Sequence, residues 1–105
     1  MHIFVLQSLK KNDPKTGEQI HEYLNTEHIS NEFHYFKSKE ELLNLLELVK
    51  VKAATGNLQP FIHLDCHGND QGIGAVTSDE NVEMITWDDI LDKSIEIYRS
   101  SNKIS

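Results

Sequence analysis

QPFIHLDCHGNDQGIGAVTSDENVEMITWDDI, from Gln59 to Ile90, sets the architecture of the chain around it. Pro60 ends whatever precedes it, because it cannot donate to a helix or a central ladder. The run Phe61-Ile62-His63-Leu64 is short, apolar and aromatic or branched, and reads as a buried strand driving to Asp65-Cys66-His67-Gly68. Gly68, Gly72 and Gly74 make a glycine-rich turn from Asn69 onward. Ile73–Thr77 and Val82–Thr86 then read as a hairpin joined by Ser78-Asp79-Glu80-Asn81. Thr86 has the position of an N-cap, with Asp88 and Asp89 in the first turn of a final helix.

Outward from this segment the pattern alternates. Ile3–Leu9 is apolar and reads as a buried strand. Lys10–Lys15 is polar, and Asp13-Pro14 marks a turn. A helix is expected from Thr16 to about Asn25, with Ile20, Tyr23 and Leu24 as its apolar stripe. Asn25–Asn31 is a polar linker. Glu32–Phe36 reads as a second strand, with Phe33 and Tyr35 on one face and His34 and Phe36 on the other. Ser38 and Glu41 have capping-box spacing. Leu42, Leu45, Leu46 and Val49 give the helix that follows a core stripe, and Gly56-Asn57 stops it. In the final helix Ile90, Leu91, Ile95 and Tyr98 are the expected inner face. The tail Ser100–Lys103 is expected to fray, and Trp87 to anchor the helix to the sheet.

The order is therefore β-α-β-α-β-hairpin-α in one domain of 105 residues. Strands alternating with helices imply parallel pairing through right-handed crossovers, hence an α/β, doubly wound three-layer sandwich with a mostly parallel sheet. A net charge of −7 argues against a nucleic-acid backbone as partner. No apolar run reaches the ~20 residues of a membrane span. A single cysteine excludes an internal disulfide and fits a reducing, cytoplasmic setting.

Chemistry concentrates where strand 61–66 ends, because ligands gather at the carboxyl ends of parallel strands. His67 is the leading candidate as a proton acceptor, and Gly68 allows close approach of a ligand. The competing role for His67 is to cap a turn. Cys66 should point to the opposite side from its neighbours and serve as core. His63, Asp65 and His67 alternate, so they could form an orienting row or ligate a metal. The glycines are spaced G-x3-G-x-G with a hairpin after them, which is no phosphate fingerprint. No cofactor is expected. Asp79, Glu80, Glu83, Asp88 and Asp89 read as a solvated acidic face.

The run IHLDCHG-x3-GIG, then a hairpin, then ITWDDI, resembles the caspase-like cysteine peptidases, in particular bacterial CHAT-type domains. The resemblance extends over most of the chain and is sharpest from Phe61 to Ile90. It implies a hydrolase fold with a Cys–His dyad acting on a peptide or protein substrate. His67 matches the catalytic histidine, and Gly68 the glycine whose N–H helps hold the oxyanion. His63 matches a frequent, non-catalytic histidine. The family's nucleophile lies at the end of the next parallel strand, after the helix that Thr86 begins. The chain thus resembles the amino-terminal part of such a domain, and is expected to be inactive alone. A binding or assembly module, or a metal-assisted hydrolase using His63, Asp65 and His67, are the other classes. In that fold strand 61–66 is expected to be central, paired with the Ile3 strand on one side and the family's next strand on the other. Without a neighbour it would leave an apolar edge, for which self-association is the expected cover.

Overall fold

The computed structural model describes residues 1–56, 58–78 and 80–101. The elements are β1 (His2–Ser8), α1 (Thr16–Thr26), β2 (Asn31–Tyr35), α2 (Lys39–Thr55), β3 (Pro60–Cys66), β4 (Gly72–Ser78), β5 (Asn81–Thr86) and α3 (Trp87–Ser101). This is the expected order, and the fold is α/β.

β1, β2 and β3 form a parallel sheet in the order β2-β1-β3, while β4 and β5 form a separate antiparallel pair, with an isolated antiparallel bridge from Ile73 of β4 to Gly68. β1 runs beside β2 from Ile3/Asn31 to Gln7/Tyr35, and beside β3 from His2/Pro60 to Ser8/Cys66. β1 is therefore the middle of the three strands, and β3 pairs with it on one side, as expected for the strand beside Ile3. Phe4, Val5 and Leu6 of β1 are completely buried, as a strand covered on both faces requires. β3 pairs only on its β1 side and forms one edge of the sheet among the described residues.

Successive side chains of a strand point to opposite faces, so each face has its own layer of contacts. Phe4 and Leu6 of β1 pack with Leu42, Leu46 and Val49 of α2, Ile97 of α3, and Ile73, Ala75 and Ile85 of the hairpin. Ile62, Leu64, Cys66 and Ile90 adjoin this core. α1 packs against the other face, where its His21 ring lies 5.4 Å from Phe33 and Leu24 is buried. Phe33 and Tyr35 touch edge-to-face on that same side at 4.8 Å. The hairpin is tied over the end of β1 by a bond from the Val76 N–H to buried Ser8 Oγ at 2.7 Å.

The helix ends follow local chemistry. Ser38 caps α2 by accepting from the Glu41 N–H at 3.0 Å. The Glu41 carboxylate reaches back to the Lys37 N–H at 2.8 Å, one residue before the amide a standard capping box would use. Gly56 ends α2 with an ordinary φ of −91°, so no left-handed cap is needed. Asn57 lies outside the described residues.

The packing of α3 corrects the expected inner face. Ile97 is buried and Ile90 half-buried, but Leu91, Ile95 and Tyr98 are exposed. At 100° per residue Ile90 and Ile97 project together, and Leu91, Ile95 and Tyr98 project about a quarter-turn or more away. The helix extends to Ser101, and Asn102 and Lys103 of the tail lie outside the described residues. α2 and α3 lie side by side through Lys93–Glu47, Lys50–Glu96 and the intrahelical Lys50–Glu47 and Lys93–Glu96 pairs, all 3.3–3.5 Å. Such exposed pairs are worth little individually.

At the amino-terminal end of the sheet Glu32 is a hub. Its Oε1 meets His2 Nε2 at 2.8 Å and Lys52 Nζ at 2.9 Å, and its Oε2 meets His34 Nε2 at 2.6 Å. The carboxylate is 18% exposed. Desolvation pushes its pKa up, but the hydrogen bonds from His34, Lys52 and His2 together outweigh it and hold the value near 2. Among the described residues no helix is long and apolar enough to cross a membrane.

Candidate functional site

The carboxyl ends of β1 and β3 lie side by side, Ser8 beside Cys66, so the loops that follow them meet. The loop after β1 closes on itself: the Asp13 N–H donates to the Lys10 carbonyl at 3.0 Å, and the Lys10 N–H donates to Asp13 Oδ2 at 2.8 Å. Lys15 Nζ donates to the carbonyls of Lys10 and Lys11. Asp13 is thereby fixed with one face of its carboxylate outward. There it accepts from His67 Nε2 at 2.8 Å. The hydrogen bond from His67, and then that from the Lys10 amide, hold the Asp13 carboxyl below its usual value.

An ionised carboxylate only accepts, so the proton of the neutral ring sits on Nε2 and Nδ1 is left as a base. His67 is 62% exposed and Asp13 22%. An outward-facing imidazole whose tautomer is set by a carboxylate is the geometry of a general base. Sequence reasoning placed His67 at the rim of the sheet. It missed Asp13, which carries only a turn signal in the sequence. The usable clue was its place in the loop after the parallel strand next to β3.

The backbone after His67 is held from several sides. The His67 carbonyl accepts from the Gly74 N–H at 2.9 Å, and the Asn69 N–H donates to the Gly72 carbonyl at 2.8 Å. These bonds flank Gly68 and use neither its N–H nor its carbonyl, and Gly68 itself is exposed. Asn69 Oδ1 accepts from the amides of Gln71 and Gly72 at 2.8 and 3.2 Å. Trp87 donates its indole N–H to the Asn69 carbonyl at 3.0 Å and its amide to the Gln71 carbonyl at 3.2 Å. Trp87 therefore anchors the start of α3 to the loop behind His67, not to the sheet. At Gly72 a Cβ would lie 2.0 Å from the Ile85 carbonyl oxygen, so only glycine admits this close crossing of hairpin backbone.

The remaining candidates separate. Asp65 points to the α1 face, where it accepts from Thr16 Oγ1 at 2.5 Å and from the Gly17 N–H. It serves the first turn of α1, where a negative charge is favoured. Gln7 assists: its Oε1 accepts from the Glu18 N–H at 3.2 Å. Asp65 therefore does not orient His67. The row His63, Asp65, His67 does not converge on a metal, and among the described residues no three histidine, cysteine or acidic side chains are grouped to hold one. Cys66 points the other way, toward the core beside Ile62 and Leu64. Burial first, and then Asp65, push its thiol up to about 11, which leaves it protonated and unreactive near neutrality. The acidic residues also divide. Glu83 accepts from the Lys39 N–H, Asp89 pairs with Lys39 Nζ at 2.8 Å, Glu80 and Asp88 are exposed, and Asp79 lies outside the described residues.

A cavity of about 230 Å³ opens at the same end of the sheet, among the ends of β1, β2 and β4. Tyr35, Lys15, Lys37 and Thr77 line it. No protein-family model, no curated protein and no solved structure matches this chain.

Proposed function

We propose that this chain is the amino-terminal part of a caspase-like cysteine endopeptidase, with a three-layer architecture and His67 as the histidine of its dyad. One observation carries this: an exposed imidazole at the carboxyl end of a parallel strand, bonded through Nε2 to Asp13, followed by a glycine whose amide the turn does not use. Cys66 faces the core, so the attacking thiol is assigned to a residue outside this sequence, at the end of a strand laid against β3. In the acyl-transfer step the S–H proton passes to Nδ1 of His67 as sulfur bonds to the peptide carbonyl carbon. The carbonyl π pair moves to oxygen, and the Gly68 N–H donates to that oxyanion. Collapse expels the amine, which takes the proton back from His67. Water then hydrolyses the thioester.

The test joins a cysteine-bearing strand behind α3 and measures hydrolysis of a fluorogenic peptide panel. His67→Ala should abolish turnover, and Asp13→Asn should lower it by roughly 10²–10⁴-fold, the range over which acid–base groups act. Turnover indifferent to His67→Ala would overturn the assignment. The 105-residue chain alone should be silent, and hydrolysis by it that disappears in Cys66→Ala would overturn the placement of Cys66.

A second reading is an assembly module that self-associates through the β3 edge. The observation favouring it is that β3 pairs on one side only while Phe61 stands exposed on it.

A further inference from the structure

Two exposed surfaces lie on the same side of this molecule. The first is the outer edge of β3, where the backbone donors and acceptors of alternate residues along its seven-residue length face away from β1. Only Asp65 in it is acidic, and that carboxylate is held inward by Thr16 and Gly17. Charge, proline or cover normally blunt such an edge; here Pro60 sits only at its start. The second is a stripe along α3: Trp87, Leu91, Ile95 and Tyr98 are 45, 56, 39 and 69% exposed. They recur at i, i+4, i+8 and i+11, one continuous helical face.

The helical repeat says where that stripe looks. On α2, Lys52 reaches Glu32 of β2 from one flank, while Glu47 and Lys50 meet α3 from the opposite flank, with Leu42, Leu46 and Val49 between them in the core. α3 therefore stands on the β3 side of α2. On α3, Lys93 and Glu96 face α2, and Ile90 and Ile97 face the core. The exposed stripe comes next around the helix, turned away from α2 and toward the space beside β3.

We propose that a second copy of this chain fills that space, across a two-fold axis perpendicular to the sheet at the β3 edge. Antiparallel pairing of β3 with its equivalent joins the two sheets into one of six parallel-and-antiparallel strands. The same rotation puts both α3 helices on one face of that sheet, antiparallel, stripe against stripe. With Leu91 of one copy against Ile95 of the other, Asp88 comes beside Arg99 of the other copy. Both lie on the same flank of the stripe, and equal flanks face each other in an antiparallel helix pair. Two like-charged chains thus gain two opposite-charge pairs. The side chains exposed on the stripe, with Phe61, offer on the order of 100 Å² each. Together with the strand edge this approaches the ~800 Å² per partner of a stable interface. The inference rests on the assembly reading and competes with the peptidase reading, in which a strand from outside this sequence takes the same β3 edge.

Sedimentation equilibrium of the 105-residue chain at high micromolar concentration tests it. The expected species has twice the 12.1 kDa chain mass. Leu91→Lys, a change at an exposed position, should leave the circular dichroism spectrum intact and weaken dimerisation by two orders of magnitude or more, as loss of a central anchor does. Asp88→Arg and Arg99→Asp should each weaken it several-fold, and the two together should restore it. In parallel, amide exchange along Phe61–Cys66 should slow as concentration rises. A species of 12.1 kDa throughout, a dimer indifferent to Leu91→Lys, or a double charge swap that is weaker than either single change would each overturn the proposal.

Discussion

Replacing Glu32 by Gln should unpick the amino-terminal end of the sheet in a pH-dependent way. The carboxylate holds together three elements: His2 on β1, His34 on β2 and Lys52 on α2. Its pKa falls from 4.5 to about 2 on folding. At 1.36 kcal/mol per unit this is roughly 3 kcal/mol, and discounting for partial solvent access gives about 2 kcal/mol. Glutamine keeps the volume but offers one acceptor, and turns an NH₂ toward donors. The sign follows from linkage. A depressed folded-state pKa contributes stability that is present above the unfolded value, and is lost as pH falls from about 5 through about 2. Urea unfolding followed by circular dichroism should therefore show wild type more stable than Glu32→Gln by about 2 kcal/mol at pH 7, near 10 °C in Tm for a chain of this size. The gap should close as pH approaches 2. A gap below about 0.5 kcal/mol at pH 7 would mark the cluster as a screened surface network. A gap that stays constant down to pH 2 would mean that the cost comes from packing and not from charge.

Three further outcomes can be checked on the same protein. In ¹H–¹⁵N spectra at pH 8, His67 should carry its proton on Nε2 and leave Nδ1 bare; the opposite tautomer would dissolve the orienting role of Asp13. Thiol labelling of Cys66 should be slow in the native state and fast in urea, because burial raises the thiol to about 11; equal rates would place the side chain outside the core. Gly17→Ala should destabilise the fold by about 1–3 kcal/mol through the bonds it disturbs at the start of α1, since the new Cβ would lie 2.7 Å from Gln7 Oε1 and 3.1 Å from Asp65 Oδ2; wild-type stability would show that α1 can retreat without loss.

The element order was legible in the sequence because each segment carries a local cause. Period-two runs mark β2 and the hairpin. The period-3.6 leucines mark α2, and Ser38 with Glu41 marks its start. Solitary signals at the strand ends, Pro60 and the glycines after His67, located the loops where chemistry can sit. His67 at the rim and Cys66 turned inward both followed from the alternation of side chains along a strand, which is a property of the backbone alone.

What local pattern could not supply was partnership across the chain. Whether β1 or β3 is central depends on what lies beside each strand, and that is a fact about all the strands together. Asp13 and His67 are 54 residues apart and meet only because parallel pairing sets the ends of β1 and β3 together. Asp65 looked like a companion for His67 by spacing, yet the helix that packs on that face claims it with Thr16 and Gly17. On α3 the sequence offers two apolar stripes, and only the position of α2 decides that Ile90 and Ile97 go inside while Leu91 and Ile95 stay out. Periodicity determines which residues share a face. The direction that face looks is decided by the neighbours that compete to cover it.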